Sequence, residues 1–137
     1  MIIGFMPHQI IEVSPSLHES LELKQLVQEL HSCASNLEAL PLNGLRTRVH
    51  IAAEQLIADQ AAGYCFIAVY LRIAEGRTEK VKKQMGEDLF QCLCGFVDNA
   101  MGDVPIALSY EIQEIDPHFR WNRNSIPKFM HIQESSS

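Results

Sequence analysis

The chain has 137 residues, 47% of them apolar and 20% charged, with a formal net charge of −6. That length and balance suit one globular domain around a single core. The acidic charge argues against a general nucleic-acid binder, which carries a basic face. No apolar run reaches the ~20 residues of a membrane-spanning helix.

The opening, Met1-Ile2-Ile3-Gly4-Phe5, lacks the basic region of a signal peptide and is too short for one, so a cytoplasmic protein is expected. Met6-Pro7 leads directly into a strand pattern over Pro7–Val13. If translation starts at Met6 and that residue is removed, Pro7 becomes a secondary amine that can carry a proton. Inside a longer chain its nitrogen is an amide with no basicity and no N–H. Two readings follow: residues 1–6 are a misassigned upstream start, the favoured one, or they are a real N-terminal extension.

Ser14-Pro15-Ser16 breaks the strand, and Ser16-Leu17-His18-Glu19 has the form of a helix capping box, with Ser20 as a competing N-cap. Leu23, Leu26, Val27, Leu30, Cys33, Ala34 and Leu37 then repeat at helical spacing. Pro41 and Gly44 mark a loop. From Gly44 to Ala52 the residues alternate, with Leu45, Thr47, Val49 and Ile51 on one side and Arg46, Arg48 and His50 on the other. Ala53–Gly63 reads as a loop or a short helical turn.

Tyr64–Ala74 is an apolar, β-branched run and reads as a central strand. Thr78 is a suitable N-cap for a second helix, whose stripe is Val81, Met85, Leu89, Cys92, Leu93, Phe96, Val97 and Ala100. Ile106–Ile115 is a fourth strand. The four cysteines, Cys33, Cys65, Cys92 and Cys94, match neither a zinc nor a redox spacing. They read as small apolar residues in a reducing cell.

Strand, helix and strand therefore occur twice. Laying the first helix on the second matches Leu26 with Leu89, Leu30 with Leu93 and Ala34 with Val97, and one further step matches Pro41 with Pro105 and Arg46 with Tyr110. The implied fold is α+β: a tandem β-α-β repeat forming a four-stranded mixed sheet with two helices on one face. Residues 7–137 form one domain, divided into units 7–63 and 64–117 and a tail, 118–137. Both sides of the third strand are apolar, so the face without helices calls for an oligomeric partner.

Met-Pro-His at Met6–His8, P-L-N-G-L-R-T-R-V-H at Pro41–His50, L-R-I-A-E-G-R-T at Leu71–Thr78, G-E-D-L-F at Gly86–Phe90 and I-A-L-S-Y-E-I at Ile106–Ile112 occur in one order. Together they resemble the tautomerase superfamily, and within it the 5-carboxymethyl-2-hydroxymuconate isomerase family. The resemblance implies a cofactor-free, metal-free isomerase that moves a proton in a 2-hydroxymuconate-type dienol dicarboxylate. It implies a homotrimer with Pro7 as general base and then acid, and Arg46 and Arg77 as catalytic and substrate-handling residues. Neighbouring cations would lower the basicity of the proline amine toward working pH, and an arginine fork suits a carboxylate or a developing enolate.

Arg48 and His50 share the face of Arg46 and are further substrate-binding candidates, although an ion pair and a structural hydrogen bond also account for them. His8 points to the opposite face from Pro7. Phe119, Arg120, Trp121 and Asn122 in the tail are expected to cover a neighbouring subunit and to edge the site. Two alternatives stay open: a tautomerase of other enol 2-oxo acids, and a non-catalytic trimeric scaffold if Pro7 is not terminal.

Overall fold

The computed structural model describes residues 7–130. The start at Met1–Met6 and the end of the tail lie outside the described residues. The elements that build the sheet and cover it are β1 (His8–Val13), α1 (Leu23–Ser35), β2 (Arg46–Ile51), β3 (Cys65–Ala74), α2 (Glu79–Met101) and β4 (Ile106–Ile115). The sheet order is β2-β1-β3-β4. β1 runs parallel to β2, β3 runs parallel to β4, and β1 and β3 meet antiparallel at the centre. Each parallel pair needs a crossover, and α1 and α2 supply them.

Strand alternation decides the two faces. Ile11, Val13, Ile67, Val69, Leu71 and Ile73 are buried. They pack against Leu26, Leu30 and Ala34 of α1 and Met85, Leu89, Leu93 and Val97 of α2. Full burial of each large aliphatic side chain contributes roughly 1.5–3 kcal/mol. The alternate positions, His8, Ile10, Glu12, Phe66, Ala68, Tyr70 and Arg72, face away from the helices.

Gln9 lies within the helix-facing layer and is fully buried. Its Nε2 donates to the Leu30 carbonyl and to Thr47 Oγ1, both at 3.1 Å, and its Oε1 accepts from the Tyr110 hydroxyl at 2.7 Å. Thr47 Oγ1 also lies 2.8 Å from His31 Nδ1. This network joins β1, β2, β4 and α1, and burial pushes the Tyr110 phenol well above its ordinary pKa.

The helix stripes align as the repeat predicts, and Thr78 caps α2 by accepting from the Val81 N–H at 3.2 Å. Ala53–Gly63 is loop. Gln55 pins it by accepting from the Ser14 hydroxyl and donating to the Tyr64 carbonyl.

Three expectations are corrected. Ser16 caps no α-helix; it precedes a 3₁₀ turn over Leu17–Glu19 without a side-chain bond, and α1 begins at Leu23. Burial of Leu17 and Leu21 anchors that turn in the core and delays the helix. Cys33 and Cys92 are not reduced apolar fillers but a disulfide joining α1 to α2, with their Cα atoms 6.9 Å apart; Cys65 and Cys94 stay free. The match of Arg46 with Tyr110 fails as well. Partners are 38 positions apart in the first half (His8 to Arg46) and 41 in the second (Cys65 to Ile106). The odd difference puts Arg46 away from the helices and Tyr110 beneath them.

Candidate active site

At the end of the sheet where β1 and β2 begin and β3 finishes, one row across the helix-free face reads Arg46, His8, Arg72. The next row holds Arg48, Ile10 and Tyr70. Parallel pairing sets Arg46 beside His8, and antiparallel pairing sets Arg72 on its other side. Arg46 Nη2 donates to His8 Nε2 at 2.8 Å, and Arg48 Nη1 lies 3.3 Å from His8 Nδ1. A neutral imidazole accepts at only one ring nitrogen. One of the two contacts therefore sets a ring N–H against a guanidinium and is no hydrogen bond.

Burial, and after it the charges of Arg46, Arg48, Arg120 and Arg72, lower the pKa of His8 to about 4. The ring is therefore neutral at pH 7, and the positive charge of this corner belongs to the arginines. Arg120 is itself held below the usual arginine range by burial and by Arg46 and Arg72. It comes from the tail, which turns at Pro117–Phe119 and passes the same corner. The cavity there measures about 470 Å³, and Arg46, Arg72, Arg120, Arg123 and His8 line it. Asn122 is also on its wall, and Phe119 and Trp121 stand exposed at its rim.

Pro7 is buried. It immediately precedes β1, and strand alternation gives it the same side as Gln9, beneath the helices. Its carbonyl accepts from the Arg46 backbone N–H at 3.0 Å, which fixes the two residues side by side. Arg77 lies just past the end of β3. Its Nε and Nη2 donate to the Ala39 carbonyl and its Nη1 to the Ala74 carbonyl. Burial lowers its pKa from the usual arginine value. His50 is exposed and stands opposite Glu12, two rows along from His8. The structure thus brings Arg46 and Arg48 together at His8, sets Pro7 against the backbone of Arg46, and gives Arg77 and His50 separate surroundings. Among the described residues, no group of His, Cys, Asp or Glu is arranged to hold a metal ion, and no helix is long and apolar enough to cross a membrane.

The 5-carboxymethyl-2-hydroxymuconate isomerase family model matches residues 7–130, from Pro7 through the tail that roofs the cavity. The chain belongs to this isomerase family. It is similar to the 5-carboxymethyl-2-hydroxymuconate Delta-isomerase of Escherichia coli, with 31% identity over 121 residues, covering 88% of this chain and 96% of the relative. A 5-carboxymethyl-2-hydroxymuconate isomerase from Deinococcus radiodurans R1 superposes with a TM-score of 0.81 at 29% identity, covering 91% and 94% of the two chains. A fused 4-OT symmetric trimer shares the fold alone, with a TM-score of 0.58 at 12% identity, covering 81% and 88%. The fold is that of the tautomerase superfamily.

In this isomerase, sequence reasoning missed Arg72 and Arg123 at the cavity. Arg72 sits in the apolar run Tyr-Leu-Arg-Ile-Ala, where its place beside His8 depends on antiparallel register and not on local spacing. Its signal was being a charged residue on the helix-free side of a central strand.

Proposed function

We propose that this isomerase moves a proton within a 2-hydroxymuconate-type dienol bearing several carboxylates, of the 5-carboxymethyl-2-hydroxymuconate kind, with the nitrogen of Pro7 as base and then acid. The observation that carries the reading is the backbone bond from Arg46 to Pro7 at the head of β1, where the family match also begins. A terminal amine at that position would take the proton from the 2-hydroxy end and return it to a distant carbon. A guanidinium brought close to that amine in the assembled site would favour the neutral form and stabilise the enolate that forms. Arg48 serves as a second carboxylate contact, with His50 at the outer edge of that face. Arg77 keeps one N–H on each terminal nitrogen beyond its three carbonyl bonds. Its proposed substrate contact uses these while it holds the loop at Ala39.

Such a transfer from a hydroxyl oxygen through an amine to a carbon needs neither metal nor redox cofactor. A homotrimer closed over the half-buried Ile10, Phe66, Ala68 and Tyr70 completes the proposal. The fused 4-OT relative of the same fold is a trimer.

The test is an intact mass of protein made from its own gene, combined with an ultraviolet assay of dienol loss. Pro7 is expected at the terminus, and Pro7→Ala is expected to slow turnover by about 10²–10⁴-fold, the usual contribution of a positioned acid–base group. Turnover by a chain that retains Met6, or a Pro7→Ala rate equal to the parent's, would overturn it. A retained Met6 without turnover points to the scaffold role instead.

A further inference from the structure

His8 stands between arginines on the bare face and does not treat them alike. Parallel register sets it opposite Arg46, and antiparallel register sets Arg72 on its other side. The Arg46 backbone is fixed by its bond to the Pro7 carbonyl. Its guanidinium is not fixed in that way, because it ends a long side chain on an exposed residue with many rotamers to lose. Among the described residues, His8 is the one side chain that accepts a hydrogen bond from it.

The distances identify the accepting nitrogen. Arg46 Nη2 stands 2.8 Å from His8 Nε2, and Arg48 Nη1 stands 3.3 Å from Nδ1. Two N–H groups aimed at each other cannot share the shorter distance, so Nε2 carries the lone pair. The ring proton is then on Nδ1, facing Arg48. That is the minor tautomer of free neutral histidine. Burial, and after it the charges of Arg46, Arg48, Arg120 and Arg72, keep the ring neutral at pH 7.

A neutral acceptor suits a guanidinium that must also bind an anion. A carboxylate in place of His8 would cancel the charge of Arg46 and occupy a full edge of its fork. The imidazole takes a single N–H and leaves the charge intact. Nη2 shares one edge of the planar group with Nε and another with Nη1. With one Nη2 hydrogen given to His8, one complete edge stays available for two oxygens.

We infer that His8 is a positioning residue: through Nε2 it holds the Arg46 guanidinium in one orientation at the cavity, with a paired N–H edge free for the substrate's anion. This deepens the proposed function and rests on it for the use made of Arg46; the hold itself stands on the strand register and the two ring contacts.

Two measurements test it. In the first, nitrogen-15 NMR reads the His8 tautomer at pH 7 in the parent and in Arg46→Leu, with His8→Gln assigning the signals. The proton is expected on Nδ1 in the parent and is expected to shift toward Nε2 in Arg46→Leu. A parent ring protonated on Nε2, or on both nitrogens, overturns the inference. In the second, kcat/KM for the dienol is measured in His8→Leu, in His8→Gln and in His8→Leu combined with Arg46→Leu. His8→Leu is expected to lose about tenfold, within what misplacing a positioned group costs. His8→Gln, whose amide oxygen reaches the place of Nε2, is expected to recover to within about threefold of the parent. In the Arg46→Leu background, His8→Leu is expected to cost less than about twofold, because it acts through a group already removed. Equal rates in His8→Leu and the parent, equal losses in His8→Leu and His8→Gln, or a further tenfold loss in the Arg46→Leu background overturns the inference. If His8→Leu does not fold, His8→Asn replaces it, since its amide reaches only the place of Nδ1. If the parent turns over no dienol, the isomerase reading of this chain falls, and the tautomer alone decides whether His8 holds Arg46.

Discussion

Two polar clusters sit one residue apart on opposite faces of the same sheet. Gln9, Thr47 and Tyr110 lie beneath the helices, neutral and mutually hydrogen-bonded. His8, Arg46 and Arg72 lie on the bare face, where positive charge is gathered and the imidazole cannot satisfy both of its arginine neighbours. The first cluster is closed: every buried side-chain nitrogen and oxygen among the described residues has a partner. The second lines a cavity of about 470 Å³. A strand can hold architecture on one side and chemistry on the other because alternation separates the two by one backbone step.

The comparison can be broken from either side. Gln9→Leu should give the largest effect, about 3 kcal/mol of lost stability in urea unfolding, because it orphans the Tyr110 hydroxyl and removes two further buried hydrogen bonds. Turnover per folded molecule should stay near that of the parent. Arg46→Gln should do the reverse, lowering kcat/KM about 100-fold, or about 2.7 kcal/mol of transition-state stabilisation, with little change in the urea midpoint.

Arg77→Gln tests a residue that belongs to both categories. Loss of its charge-assisted bonds to Ala39 and Ala74 should cost about 2 kcal/mol in unfolding, alongside any rise in KM. A stability loss without a KM change would assign Arg77 to architecture alone.

The smallest effect is one of pH. The folded pKa of His8, about 4, lies below its ordinary value of 6.5. Over that window the unfolded chain binds the extra proton, so stability is full above about pH 6.5 and declines as pH falls toward 4. His8→Gln should flatten the decline in urea midpoints measured between pH 7 and pH 4.5.

Much of this was legible in the residue order. The alternation of Arg46–Ile51, the uninterrupted run of β3 and the Thr78 cap are local patterns, and local physics enforces them. The capping motif at Ser16 misled because Leu17 and Leu21 have a stronger claim on the core than Ser16 has on a helix end. Cys33 and Cys92 were visible as members of two helix stripes, but their pairing depends on how α1 and α2 lie across the sheet. The cationic corner was half visible. Arg46 and Arg48 show themselves by spacing and Arg120 was expected at the edge of the site, whereas Arg72 and Arg123 reach it through antiparallel register and the return of the tail. No window of sequence contains that information.

The bridge between Cys33 and Cys92 also decides how the molecule would bear a mechanical load. Pulled by its two ends, the oxidised chain passes tension across the sulfurs, and the stretch between them, with a sequence separation of 59, stays slack. β2 and β3 lie wholly inside that shielded segment, while β1 and β4 lie outside it and take the force. Reduction would release roughly 200 Å of hidden contour, at ~3.3–3.6 Å per extended residue, and would bring β2 and β3 into the path of the pull.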